Sequence, residues 1–464
     1  MRLLFTAAAT AAAAVLVAAT GAAAAMAPFA AECPSVYLAE YGAAHAAYVR
    51  QFRDAADGEW DAGPRPPALQ LNGTLIYYSR GGGFGNRVRA WTTLFYLAVL
   101  LRRAFFVHWP EPTVVDTYWE PTAWFDWRLS AAPPALRRAV HTALDRPHHW
   151  RPVGDRAGAW DPRAFFASTD FAAVLTHEHE AVTLIHDGAP LLLRNPHLAA
   201  ATDRWLGDLQ GAHAASGQPD ALLRGRLFAC AWHLMVQRTA HLDAVAARAV
   251  AQWLAPASEW RRNATGAAAA IDTADDGAAS WPAGPPASAT FPVAIHLRFG
   301  DQAALPTTEA MRRQLAVHLY AALAAARLAG VPTAPIFVAT DHPTLVMQWA
   351  PPALASHVYA QRLAPNLTMA TGMHVNVHPT AAGVERAMVD FALLADAAVL
   401  VLDLQSSFSI AAARWSWLAP DRNQTVYRIE PCRNRVAAQQ HLACPVVHFS
   451  KQTAALPTTA GSAG

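Results

Sequence analysis

Lysine is almost missing from this chain. Of its 36 basic residues only Lys451, close to the C-terminus, is a lysine, and the rest are arginines. A Walker A lysine, the strand lysine of a protein kinase and the Schiff-base lysine of a pyridoxal enzyme must all sit inside a folded site, so those chemistries are excluded. Net charge is nearly absent too: 36 Lys+Arg stand against 34 Asp+Glu, a formal +2. That balance is too even for a chain held to nucleic acid by a general basic surface, so any anion has to be met locally, by arginine and backbone N–H. The sequence has no C-x-x-C, no H-E-x-x-H and no G-x-S-x-G. Structural zinc, a zincin site and a nucleophile-elbow hydrolase therefore lack their signatures. Charged residues make up 15% against 53% hydrophobic, but alanine runs account for much of that excess, and the chain reads as globular rather than disordered or polytopic.

What is present begins with length. At 464 residues the chain exceeds what one hydrophobic core usually serves, and two large domains are expected. Arg2 is followed by an uncharged, alanine-dominated stretch from Leu3 to Ala31. Residues 1–31 read as a secretory signal or an uncleaved signal anchor, a choice left open because alanine contributes little to membrane insertion. Asn-x-Ser/Thr sequons stand at Asn72, Asn263, Asn366 and Asn423, and with the leader they place the chain in the ER or Golgi lumen, or outside the cell. Membrane contact is expected only through a retained N-terminal segment. The four cysteines, Cys33, Cys230, Cys432 and Cys444, allow three pairings. Cys432 with Cys444 closes a short loop worth roughly 3 kcal/mol by the chain-entropy model, which leaves Cys33 with Cys230.

Hydrophobic periodicity organises the rest. A helix is expected from Val36 to Phe52, then a proline-rich break at Pro64 to Pro67. Leu75 to Tyr78 reads as a strand, Gly81 to Gly85 as a loop, and Asn86 to Arg103 as a helix with Val88, Trp91, Leu94, Phe95, Ala98 and Leu101 at helical spacing. Phe105 to Trp109 is the next strand. Strand character returns near Ala181 to Ile185, and residues 221 to 254 look helical. The aromatics Trp119, Trp124, Phe125 and Trp127 are read as core rather than as a sugar platform. His177-Glu178-His179-Glu180 is read as a polar edge strand rather than a metal site. Residues 264–288 turn to Ala, Gly, Pro and Asp, an exposed linker.

Beyond the linker, strands at Val293–Arg298, Ile336–Ala339, His357–Ala360 and Ala398–Leu402 alternate with helices at Glu309–Ala329, His342–Trp349, Gly383–Ala395 and Ser409–Trp417. Such a rhythm argues a doubly wound parallel sheet. The expected fold is α/β with two Rossmann-like halves, residues 33–263 and 289–450, followed by a disordered tail at 451–464.

Five segments carry chemistry. In Ser79-Arg80-Gly81-Gly82-Gly83-Phe84-Gly85-Asn86-Arg87 the glycines let backbone approach a ligand at a helix N-terminus. Arg87 and Arg89 oppose that helix's dipole, which points to an anion; a tight turn with solvent-facing arginines is the plainer alternative. His296 and Arg298 alternate onto one face at the end of their strand. A buried arginine there needs a carboxylate, for which Asp301 is placed, or a phosphate. Ala339-Thr340-Asp341 ends a second strand in hydroxyl and carboxylate. Asp390 stands on the apolar face of a helix that runs on to Asp396, and Ser406-Ser407-Phe408-Ser409 opens another with capping hydroxyls.

Gly83-Phe84-Gly85-Asn86, His296-x-Arg298, Ala339-Thr340-Asp341, Asp390 with Leu394-x-Asp396, and Ser406-Ser407-Phe408-Ser409, in that order over residues 74 to 417, resemble the GDP-fucose-dependent fucosyltransferase superfamily. That superfamily includes protein O-fucosyltransferases, the α1,6-fucosyltransferase of N-glycan cores and plant xyloglucan fucosyltransferases. The resemblance implies a GT-B-like fold, two Rossmann-like doubly wound domains facing a cleft, and inverting transfer of fucose from GDP-fucose to a glycan or protein hydroxyl. No metal and no other cofactor is implied, in keeping with the missing D-x-D motif.

It further implies that Arg298 holds the β-phosphate and stabilises the departing GDP, and that His296 and Asp390 bind the nucleoside end, Asp390 accepting from guanine N–H groups. Ser406, Ser407 and Phe408 would cradle phosphates, with Gly83, Gly85 and Asn86 closing over the pyrophosphate and sugar. Some relatives place a glutamate as base shortly after the arginine; here that stretch is Gln302-Ala303-Ala304-Leu305-Pro306, and the nearest acids are Asp301 and Glu309. Asp301 is the catalytic candidate, a phosphate oxygen being the alternative proton acceptor. A GT-B transferase of another nucleotide sugar, or an inactive sugar- or nucleotide-binding relative, are the competing functions.

Overall fold

The computed structural model describes residues 33, 35–57, 69–79, 83–110, 115–150, 161–184, 187–204, 206–207, 220–251, 291–298, 308–332, 334–341, 346, 348–350, 358–360, 381–402, 406–416, 424–429 and 446–449. The leader 1–31, the linker 264–288, the tail 451–464, Asp301, Cys432, Cys444, Asn263, Asn366 and Asn423 lie outside them. The chain divides into two compact units, Met1–Gln237 with Trp417–Asp421, and Arg238–Ser416 with Arg422–Gly464.

The first unit opens with helix α1 (Ser35–Asp57). Its sheet has the order β2-β1-β5-β4, from β1 (Thr74–Tyr78), β2 (Ala104–His108), β4 (His148–His149) and β5 (His179–Thr183). All its pairings are parallel. Helix α2 (Phe84–Leu100) is the crossover from β1 to β2, and almost every side chain on it is buried. Gly73, at φ +118, turns the chain into β1, and a Cβ there would run into the Glu178 carbonyl.

Edge strand β2 is covered rather than left open. The Tyr41 hydroxyl donates to the Arg103 carbonyl and accepts from Phe105 N–H, while His45 Nε2 meets the Phe105 carbonyl at 3.0 Å. Helix α1 thus occupies groups that a free edge would offer to another chain. Burial pushes the His45 imidazole down to about 4, so it is neutral at physiological pH.

The core of this unit is aromatic. Trp91 packs edge-on to Trp127 at 4.5 Å and to Trp232 at 5.0 Å, and Trp119, Trp127 and Trp232 are fully buried. The reading of Trp119, Phe125 and Trp127 as core therefore holds, and Trp124 is half-buried beside them. Where helix was expected over 221–254, α3 (Asp220–Met235) gives way to β6 (Val236–Arg238) and then to helix again over 240–251. The break is fixed by pairing: β6 lies against β3 (Trp119–Pro121), and the Met235 carbonyl takes Thr122 N–H and Trp127 Nε1–H. Cys33 and Cys230 form a disulfide across 197 residues, a loop whose closure constrains the unfolded chain by roughly 5 kcal/mol in the entropy model.

The second unit holds a six-stranded sheet of order β12-β11-β10-β7-β8-β9. Its strands are β7 (Val293–Leu297), β8 (Ile336–Thr340), β9 (Val358–Ala360), β10 (Val399–Leu402), β11 (Thr425–Ile429) and β12 (Val446–Phe449). The first five in spatial sequence from β9 to β11 run parallel, and β12 closes the edge antiparallel. The doubly wound expectation is met, and β11 and β12 are additions to it. Helices α4 (Thr308–Leu328), α5 (Ala381–Asp396) and α6 (Ser407–Ser416) accompany the sheet. On α4 the buried positions Met311, Leu315, Leu319, Ala322 and Ala326 follow helical spacing and join Val293, Ile295, Ile336 and Val338 in an aliphatic core. Gly330, at φ +75, ends the helix, with Val331 N–H returning to the Ala326 carbonyl.

Candidate functional site

Chain order places the switch of the second sheet between β7 and β10. From β7 the chain winds to β8 and β9 on one side, then crosses to β10 on the other. Open α/β sheets bind ligands at such a point, outside the carboxyl ends of the strands. His296 is the penultimate residue of β7, and Ser406 leads into α6 directly after β10. The two are joined by a hydrogen bond of 2.7 Å between Ser406 Oγ and His296 Nδ1, and both are buried.

Phe408 lies against this pair, its ring 5.0 Å from that of His296 and 5.5 Å edge-on from Phe391 of α5. Ser407 is half-buried at the first position of α6. Arg298 follows β7 immediately and is half-buried, its carbonyl accepting from Gln314 Nε2 of α4 at 3.0 Å. Four of the expected donor residues, His296, Arg298, Ser406 and Phe408, are thereby gathered around one strand end.

Asp390 is on the sheet-facing side of α5, 6% exposed. Its Oδ2 is 3.6 Å from Nε of Arg386, one turn earlier and 7% exposed. Arg386 Nη2 in turn donates to the carbonyl of Thr340, the last residue of β8. Asp390 Oδ1 and Arg386 Nε and Nη1 have no hydrogen-bond partner although each is buried. Burial pushes the Asp390 carboxyl up to about 7 against the opposing pull of Arg386. Sequence reasoning found Asp390 and missed Arg386; the available signal was its i−4 spacing, which sets both on one helix face.

Asp396, the other acid of that motif, has a structural role. It takes a bidentate ion pair from the buried Arg238, whose guanidinium also lies 5.2 Å from the Trp415 ring centre. Glu309 is exposed in the first turn of α4 and paired with Arg313 at 3.7 Å.

In the first unit the glycine-rich segment opens α2 as expected. Gly83 is the cap residue, extended at φ −68 and ψ 160, and its carbonyl accepts the N–H groups of Asn86 and Arg87. Gly85 is buried and Asn86 half-buried. The two arginines of the first turn have partners within the protein rather than open solvent around them, and Arg89 keeps 24% of its side chain exposed. Arg87 is buried with its guanidinium 4.9 Å from the Trp109 ring centre, and Arg89 lies 3.6 Å from the buried Asp187.

The histidine-acid stretch leads into a strand that is paired on one side, by β1, at His179 and Glu180 and on both sides at Val182. Strand β5 lies between β1 and β4, and the buried Glu180 accepts His177 N–H and bonds His148 Nε2, each at 2.8 Å. Among the described residues no cluster of His, Cys, Asp or Glu is arranged to hold a metal ion, and no helix is long and apolar enough to cross a membrane. Asn72 is exposed at the head of β1.

No family model and no curated protein sequence matches the chain. The solved structures it is similar to include fucosyltransferases. An arginine-to-lysine mutant of Arabidopsis thaliana FUT1 in complex with GDP is 12% identical, with a TM-score of 0.43 covering 86% of this chain and 77% of that one. NodZ α-1,6-fucosyltransferase soaked with GDP-fucose is 11% identical, with a TM-score of 0.38 over 81% of this chain and 99% of that one. POFUT1 in complex with GDP-fucose is 12% identical, with a TM-score of 0.37 over 77% and 99%. At identities and scores this low the chemistry has to be read from the residues themselves.

Proposed function

We propose that the chain is a glycosyltransferase that moves fucose from GDP-fucose to a hydroxyl of a glycan or protein, with inversion and without a metal ion. The observation that carries this reading is the buried His296–Ser406 bond across the β7–β10 switch point, with Arg298 beside it and an incompletely partnered carboxylate at Asp390. A nucleoside diphosphate suits that set. The arginine offers the bidentate, permanently charged contact that a phosphate needs. The carboxylate accepts from the ring N–H and amino group of guanine, and the start of α6 presents backbone N–H groups to phosphate oxygens.

In the reaction, the bond between fucose C1 and the β-phosphate oxygen breaks while the acceptor oxygen bonds to C1 from the opposite side. Arg298 stabilises the charge gathering on the departing GDP. The acceptor proton passes to Asp301 or to a phosphate oxygen. Gly83, Gly85, Asn86 and Ser407 are assigned to the donor on the motif resemblance. The Cys33–Cys230 disulfide supports a lumenal or extracellular compartment, where such bonds persist.

Calorimetry with GDP in the presence of EDTA tests the reading: heat of binding is expected, and its absence rejects it. In a transfer assay Arg298→Ala should lose about 100- to 1,000-fold in rate with an unchanged melting temperature. Retained transfer would remove Arg298 from the mechanism.

A further inference from the structure

A buried ion pair is favourable only when its remaining hydrogen-bonding positions are filled. The Arg386–Asp390 pair leaves three of them open: Nε and Nη1 on the guanidinium and Oδ1 on the carboxylate. Both residues are more than nine-tenths buried. Buried polar atoms in native proteins are nearly always partnered, so each exception calls for an explanation, and open donors beside an open acceptor in one ion pair are explained by a ligand that fills both. The guanidinium is also fixed in place, since Nη2 is bound to the Thr340 carbonyl at the carboxyl end of β8. The result is an N–H donor held beside a carboxylate acceptor on the same helix face, one turn apart.

From this geometry we infer that Arg386 is a specificity-determining residue: its open N–H donates to the O6 of a guanine whose N1–H and amino group are accepted by Asp390. The inference rests on the guanine nucleotide reading above and extends it from the carboxylate to the pair. Among the common bases only guanine offers two neighbouring donors to a carboxylate with an acceptor directly beside them. Uracil presents one donor between two acceptors, and adenine places its acceptor where the second donor is needed. Arg386 lies outside the residue set the motifs singled out, and it reads the base without touching the phosphates or the sugar.

The test is a set of nucleotide affinities for the whole protein and for Arg386→Met, using GDP, IDP, UDP and the diphosphate of 2-aminopurine riboside. IDP keeps O6 and N1–H and lacks the amino group; the 2-aminopurine nucleotide keeps the amino group and lacks both O6 and N1–H. Loss of a hydrogen bond donated by a charged group is expected to cost roughly 10- to 100-fold in affinity. Arg386→Met should therefore weaken GDP and IDP by the same factor and the 2-aminopurine nucleotide by a clearly smaller one, since only the loss of Arg386's hold on the Asp390 carboxylate reaches a base without O6. An equal loss for all nucleotides would mean that Arg386 acts only through the fold, and unchanged GDP binding would mean that it does not read the base; either overturns the inference while the nucleotide reading stands. Absence of GDP binding by the parent protein would overturn both. Arg386→Lys, which keeps the charge, guards against a folding failure: it should restore part of the GDP affinity.

Discussion

The two units differ in how they answer buried charge. In the first, the glycine-rich loop leads into a helix whose arginines meet partners within the unit, Arg87 the Trp109 ring and Arg89 the Asp187 carboxylate at 3.6 Å, although Arg89 Nε makes no hydrogen bond. Arg103 is the fullest case, its guanidinium donating to the carbonyls of Thr74, Leu175, His177 and Glu178. Trp91 Nε1 is left without a hydrogen-bond partner there, but it is neutral and sits among aromatic rings, where the cost is small. In the second unit the open atoms are Nε of Arg238 and, on both sides of one ion pair, Nε and Nη1 of Arg386 and Oδ1 of Asp390, and charged groups are expensive to bury unfilled. The difference teaches where to look for a ligand: Arg89 and Arg238 each have one open nitrogen beside a carboxylate, whereas the Arg386–Asp390 pair is open on both partners at a strand end, and that pair marks recognition.

The largest effect that should separate the units is on stability. Trp91 is the hub of the indole cluster and fully buried, so Trp91→Ala should lose about 3–5 kcal/mol in equilibrium denaturation. GDP affinity of the remaining folded protein should stay within roughly twofold, the scale of uncoupled distant sites. A larger loss of affinity would mean that the aromatic core also shapes the nucleotide site.

The next effect has opposite signs for stability and binding. The Asp390 carboxyl is raised from 3.8 to about 7 by burial. The folded state therefore holds a proton that the unfolded state releases, and stability declines as pH rises from about 4 to about 7. Guanine donors favour the ionised form, so GDP affinity should rise across that same window and level off above it. Asp390→Asn removes the buried charge. At pH 8 it should be neutral or stabilising by as much as roughly 1–4 kcal/mol, while GDP binds roughly 10- to 100-fold more weakly. Thermal melts and GDP titrations at pH 5, 6, 7 and 8 check both. If parent and variant keep the same pH slope, Asp390 is not the titrating reader.

How much of this was legible in the sequence follows from the range of the forces involved. Strands β1, β2, β7, β8 and β10 and helices α2, α4, α5 and α6 are written in local periodicity, and the sequence reading places each within a few residues. Likewise His296 was placed at its strand end by alternation alone. The errors lie where distant partners decide. The 221–254 helix is interrupted because Val236 to Arg238 has a strand, β3, to pair with. At His177 to Glu180 the polarity is visible in the sequence and its cover is not: the buried Glu180 is hydrogen-bonded to His148, 32 residues away in sequence. Arg386 escaped notice because a single arginine on a helix is unremarkable until Thr340 and Asp390 are seen beside it.

The smallest predicted effect concerns the first-turn arginines, where a sequence reading alone points to an anion. Arg89 is partly exposed, at 24%, whereas its partner Asp187 is 7% exposed. Removing the arginine takes the positive charge away from a nearly buried carboxylate, so Arg89→Ala should cost on the order of 1 kcal/mol. Arg89→Ala with Asp187→Asn should recover most of that, the coupling that a double-mutant cycle isolates. GDP affinity should be unchanged in all three proteins, because a positive charge already committed to Asp187 has little to offer a phosphate. A tenfold fall in GDP affinity for Arg89→Ala, with the Asp187→Asn variant binding normally, would show that the arginine leaves its partner for the ligand, and the division between structural and recognising charge would then fail in the first unit.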